Sequence, residues 1–130
     1  MPHILVLAVG RDRLLLETRS RVLQAAGYTV IPELSLKKAV SRSRDEDFDV
    51  VLLCHSIPAD DRERLVRLIR EHTSRKPIVS IATTLGQRDL FADATIESDP
   101  DELLNGLHDV LRKKPREEDT LSPMDRNQRA

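Results

Sequence analysis

The sequence predicts an α/β fold, a doubly wound five-stranded parallel sheet with helices on both faces. Two observations carry this expectation. The apolar runs at His3 to Val9, Asp49 to Cys54 and Ile78 to Ala82 are nearly continuous rather than alternating, as strands buried on both faces require. Helical patterns lie between the runs, and strands alternating with helices through right-handed crossovers close into a doubly wound sheet.

The elements follow in chain order. After the first strand comes RDRLLLETRSRVLQAAGY. There Leu15, Val22 and Ala26 fall near one face, with Arg13, Glu17, Arg21 and Gln24 elsewhere, and Gly27 stands where a C-terminal glycine cap belongs. Thr29 to Ile31 is the second strand. In SLKKAVSRSR, Ser35 can cap a short helix whose apolar stripe is Leu36, Ala39 and Val40. The third strand, Asp49 to Cys54, leads into ADDRERLVRLIREHT, where Leu65, Leu68 and Ile69 face inward at spacings of three and four. The arginines of that helix, Arg62, Arg64, Arg67 and Arg70, mix with Asp60, Asp61, Glu63 and Glu71 and read as a solvated face rather than a phosphate-binding stripe. Ile78 to Ala82 is the fourth strand. Thr83 to Asp93 is poorly patterned, with room for a helix around Leu85 to Phe91, and Ala94 to Ile96 is a weak fifth strand. The last helix is the best signalled. Asp99, Pro100 and Glu102 read as N-cap, first-turn proline and N3 acid ahead of Leu103, Leu104, Leu107, Val110 and Leu111.

Length and composition bound the function. The 130 residues suit one domain, expected over residues 1 to 112. From Lys113 the polar, proline-containing segment to Ala130 has no apolar face and is expected to be a disordered tail, too short to form an output domain. The 21 basic and 22 acidic side chains leave a net charge of −1, which gives no general attraction to nucleic acid or anionic membrane. With Tyr28, Phe48 and Phe91 as the aromatic residues, a base-stacking platform is excluded. No apolar stretch approaches the roughly 18 residues of a membrane span, and a single cysteine closes no internal disulfide. A cytoplasmic setting is the expectation.

Over residues 3 to 112 the chain resembles the receiver domains of bacterial two-component response regulators. The resemblance is carried by ILVL as first strand, LQAAGYTV as helix running into strand two, FDVVLLCHSIP as strand three and its loop, KPIVSIAT as strand four, and DPDELLNGLHDVL as the last helix. It implies the flavodoxin-like receiver fold with strand order 2-1-3-4-5. It also implies phosphoryl transfer from a histidine kinase to an aspartate at the end of strand three. Position by position, that chemistry is missing. The acidic pair that binds Mg²⁺ after strand one matches Ala8 and Val9. The phosphoacceptor position holds Cys54. The lysine near the end of strand five is replaced by Ile96 or Glu97, with no lysine between Lys76 and Lys113. The switch hydroxyl of strand four matches Ala82, and Thr83 beside it can stand in with a one-residue shift. Without metal, acceptor and cation, the charge on a transferring phosphoryl group goes unbalanced. The resemblance is to a degenerate member, a pseudo-receiver.

Cys54 admits a second reading, as a thiolate nucleophile or redox sensor activated by His55. Neighbours on a strand point to opposite faces, so the two make a poor dyad unless the strand has broken at Cys54, and a small buried hydrophobe is the simpler role. The carboxyl end of a central strand is nevertheless where such folds bind ligands. His3, His72 and His108 add no metal-ligand spacing. Ser56 has no partner base and receives no catalytic role. The expectation is therefore a stand-alone, phosphorylation-independent interaction module, without cofactor or metal and not an enzyme. Its partner would be a signalling protein, a histidine kinase or another regulator, held through the surface from Leu85 to Arg112; a homodimer is also admitted. The alternative is a cysteine-based redox sensor or enzyme using Cys54.

Overall fold

The computed structural model describes residues 4–72, 76–82 and 88–113. Five strands, β1 (Leu5–Val9), β2 (Thr29–Glu33), β3 (Val50–Leu53), β4 (Ile78–Ala82) and β5 (Ala94–Glu97), form one parallel sheet of order β2-β1-β3-β4-β5. Four helices, α1 (Arg13–Ala25), α2 (Leu36–Asp45), α3 (Ala59–Arg70) and α4 (Pro100–Lys113), cover it. The fold class and strand order are those expected.

Each helix has a local reason for its ends. The Asp12 carboxylate accepts the Leu15 amide at 3.1 Å to open α1. Gly27, at φ 101°, closes the helix: its amide donates to the Gln24 carbonyl and that of Tyr28 to Leu23, the paired bonds of a Schellman motif. Ser35 Oγ accepts the Lys38 amide to cap α2, and Asp99 accepts the amides of Asp101 and Glu102 to start α4. Both caps stand where the sequence places them. Pro32 falls inside β2, which an edge strand tolerates.

The inner strands separate two apolar layers. Val6, Ala8, Val50, Leu52, Cys54, Val79, Ile81 and Ile96 pack with Leu16 and Leu23 of α1 and Leu103 and Leu107 of α4. Leu7, Val9, Val51, Leu53 and Ile78 pack on the other face with Phe48, Ala39 of α2, and Leu65, Val66 and Ile69 of α3. Two inward faces differ from expectation. In α1 the buried residues are Leu16, Arg19, Ser20 and Leu23, while Leu15 and Val22 are half-buried and Ala26 is exposed. The run Leu14-Leu15-Leu16 fits either phase, and packing selected the later one. In α3, Leu68 is exposed and Val66 takes its place inside. Residues 88 to 93 form turns without a helix, and Thr83 to Gln87 lie outside the described residues, as does the segment from Lys114 onward.

The amino edge of the sheet is tied by two matching clasps. Asp49, just before β3, accepts the Leu5 amide on its carboxylate at 2.8 Å and donates its own amide to the Leu5 carbonyl. Asp93, just before β5, repeats this with Ile78, and its carboxylate also takes Arg70. Each clasp fixes the register of two neighbouring parallel strands at their first rung.

Gly106 gives the fold its closest helix-to-sheet approach. A Cβ there would lie 2.7 to 2.8 Å from three side-chain carbons of Ile96, a buried β-branched residue with little freedom to retreat. Gly106→Ala gains up to about 1 kcal/mol in helix propensity and loses about 1 to 3 kcal/mol to overpacking. The net expectation is destabilisation, read as a lower urea midpoint; an unchanged or raised midpoint contradicts the packing account.

Candidate functional site

The carboxyl edge of β1 and β3 is where the chain leaves the sheet, and the Cys54 amide makes the last rung by donating to the Val9 carbonyl at 2.8 Å. β3 ends at Leu53, so the strand has broken at Cys54; His55 and Ser56 occupy a turn closed by the Ile57 amide on the Cys54 carbonyl. Ser56, which has no base, proves to be a structural clasp. Its Oγ accepts the amides of Arg11 at 2.9 Å and Asp12 at 3.3 Å, joining the two loops across the edge. Gly10 fits beneath them, where a Cβ would lie 3.1 Å from Cys54 Cβ and 3.2 Å from Ser56 Oγ.

Of the positions singled out in the sequence, Ala8 and Cys54 share one buried cluster, whereas the Val9 side chain points to the opposite face and meets Cys54 only through its backbone. Ile96 is buried beneath α4 and Glu97 is exposed at the end of β5. Thr83 lies outside the described residues. Among the described residues no group of three His, Cys, Asp or Glu side chains could hold a metal ion.

Two features of the edge were missed by sequence reasoning. Arg19 is buried on the inward stripe of α1, and its guanidinium acts on both Cys54 and His55. Its spacing from Leu16 and Leu23, three and four residues, was the available signal, hidden by the Leu14 to Leu16 run. Burial raises the Cys54 thiol above its ordinary value; Arg19 pulls the other way and does not overcome it. For His55, burial and then the two cations Arg19 and Arg62 lower the imidazole, against the opposing pull of Asp12. It is neutral at pH 7.

The second is Arg62, expected in solvent and instead buried on the α3 face. It grips the Asp89 carboxylate with two bonds, Nε at 2.8 Å and Nη2 at 3.1 Å, and also donates to the Ile57 carbonyl. The Asp89 amide donates to Thr95 Oγ1, and Ser80 faces the carboxylate without a hydrogen bond of ordinary geometry. Charge alternation on α3 gave no sign of this, because the partner lies 27 positions away. Burial acts to raise the Asp89 carboxyl, and the Arg62 guanidinium with the Ser80 hydroxyl outweighs it, so the net shift is downward.

This pair yields a stability prediction. Arg62→Met leaves a largely buried carboxylate unpaired and is expected to cost about 3 kcal/mol, the low end for breaking a buried pair, measured by urea unfolding at neutral pH. Because the folded carboxyl titrates below its ordinary value of 3.8, its stabilisation is complete above the unfolded value and fades as pH falls through the folded one. Asp89→Asn should therefore flatten the acid limb of the stability profile. A variant limb as steep as wild type would remove Asp89 from that role.

Comparison with known proteins gives no match to any family model and none to a curated protein. Solved structures do match. The chain is similar to a CheY-like response regulator receiver domain from Methanospirillum hungatei JF-1, with a TM-score of 0.75 at 19% identity over 87% of this chain and 97% of that one. It is similar to a putative response regulator from Chloroflexus aurantiacus J-10-fl, with a TM-score of 0.75 at 23% identity over 86% and 100%. For the chemotaxis protein CheY4 of Vibrio cholerae the TM-score is 0.73 at 23% identity over 84% and 99%. At these identities the likeness is one of architecture: the chain has the flavodoxin-like fold of CheY-like receiver domains.

Proposed function

We propose that this chain is a degenerate receiver that acts in bacterial signal transduction as a phosphorylation-independent protein-interaction module, not as an enzyme. One observation carries the reading. Cys54, fully buried beside Ala8, stands at the strand end where receivers carry their acceptor carboxylate. Ala8 and Val9 replace the metal-binding acids, and Ile96 and Glu97 occupy the lysine region. Hard cations need oxygen ligands, and a transferring phosphoryl group needs cations to balance its oxygens; neither requirement is met by these side chains.

Signals would then pass by binding. The surface from Leu85 to Arg112, by analogy with receivers, would meet a histidine kinase or another regulator, or a second copy of the chain. Its described part supports a docking role through Leu90, which is 92% exposed, and through the outward side chains of α4. Among the described residues no helix is long and apolar enough to cross a membrane.

Incubation with Mg²⁺ and acetyl phosphate should leave the intact mass unchanged. A hydroxylamine-sensitive gain of about 80 Da, one phosphoryl group, would overturn the reading.

The rival, a redox role for Cys54, finds little support in a thiol that is fully buried and shifted upward. Iodoacetamide labelling of the folded protein should be slower than for a small model thiol, with no inflection below about pH 7. Ready labelling there, with sulfenic acid formed by mild peroxide, would promote the rival.

A further inference from the structure

Leu90 sits on a turn that the fold holds at both ends. The Ala92 amide donates to the Asp89 carbonyl at 3.1 Å, which leaves Leu90 and Phe91 at the two central positions. Arg62 of α3 grips the Asp89 carboxylate at one end of the turn, and Arg70, further along the same helix, takes the Asp93 carboxylate at 2.6 Å at the other. Phe91 packs against the layer that holds Leu65 and Ile69, whereas Leu90 is 92% exposed. An exposed leucine alone is ordinary. One carried on a turn tied down at both ends is pre-organised to enter another surface, since the fold has already met the cost of ordering it.

The other flank of α3 bears an apolar groove. Leu36 and Val40 of α2 and Leu65 and Leu68 of α3 line a depression of about 310 Å³, with Ser41 and Asp61 at its sides, and Leu68 is 37% exposed there. Asp61, Leu65 and Leu68 follow one stripe of α3, and Arg62 and Arg70 follow another. Groove and turn therefore lie on opposite sides of the helix, over the same stretch of its length. We propose that the chain forms a two-fold dimer in which Leu90 of each copy enters the α2–α3 groove of the other. A two-fold axis along α3 exchanges the two flanks, so both contacts form together and the interface closes on itself. The charges fit the same pairing. Lys37, Asp60, Arg88 and Glu97 are exposed and enter no ion pair among the described residues. Across the interface Arg88, two residues before Leu90, comes to Asp60 in the first turn of α3, and Glu97 at the end of β5 comes to Lys37 at the start of α2. The proposal deepens the interaction-module reading, on which it rests, by naming a second copy of the chain as the partner of Leu90.

Sedimentation equilibrium of the full chain, from about 10 µM to about 1 mM to cover a weak interface, is the test. The weight-average mass should climb with concentration from 14.8 kDa towards twice that value. Leu90→Asp, at an exposed position, and Leu68→Lys, in the groove, should each keep the wild-type circular dichroism and weaken association by about tenfold or more, the effect of losing a buried leucine contact. Ser41→Arg, which fills the groove from α2, takes the place of Leu68→Lys if that variant does not fold. Mixing the Leu90 variant with the groove variant should restore part of the association, because one intact Leu90 then meets one intact groove. A dimer that survives Leu90→Asp, or two monomeric variants that do not associate on mixing, would overturn the exchange of Leu90 between grooves. A wild-type chain that stays monomeric throughout would overturn the dimer and leave the interaction-module reading to the acetyl phosphate result.

Discussion

The hydrogen bond from the Cys54 amide to the Val9 carbonyl is the last rung between β1 and β3, and the rest of the molecule depends on what those two strands impose. They are the inner strands of a sheet covered on both sides, and from Val6 to Val9 and Val50 to Leu53 every residue is buried. No charged side chain can be accommodated there without a partner. Polar chemistry is therefore confined to the two rims. At the amino rim it fixes register, through Asp49 and Asp93. At the carboxyl rim it ties loops, through Ser56 and through Glu33, whose carboxylate takes the Ser35 amide and Arg42.

The same confinement explains why the carboxyl rim carries no open cluster of acids among the described residues. Asp12 caps α1, Glu33 is held by Arg42, and Asp89 is gripped by Arg62. Each nearby carboxylate is committed to a structural partner that holds it in place, and for Glu33 and Asp89 the pairing outweighs burial and lowers the carboxyl. A cation arriving at this rim would have to compete with arginines already in contact.

What the sequence made legible follows from range. The continuous aliphatic runs, the caps at Ser35 and Asp99 and the glycine at 27 are local signals, and the five strands and four helices of the described residues were found from them. The inward phase of α1 was read one residue early, because three consecutive leucines satisfy either phase and only contact with β1, β3 and α4 decides. Arg62 and Arg19 were illegible for a different reason. A buried arginine looks like any surface arginine until the fold brings Asp89 to the first and Cys54 and His55 to the second. At the site, Cys54 and Ala8 share one buried cluster, while Val9, next to Ala8 in the chain, faces the other layer. Ser56 was dismissed for lacking a base, although its role is to receive two backbone amides.

The uncharged rim of β1 and β3 also bears on stability. Like charges held close raise one another's pKa and oppose folding. Ala8, Val9 and Cys54 bring no such repulsion, and the rim closes on itself, with Gly10 seated against Cys54 and Ser56 bridging the loops. Strained, charge-rich sites are commonly kept at a cost in stability for the sake of activity. Among the described residues the end of β1 and β3 carries no such cluster, so it contributes to the fold as packed apolar core, with the Ser56 hydroxyl as the polar tie between its loops.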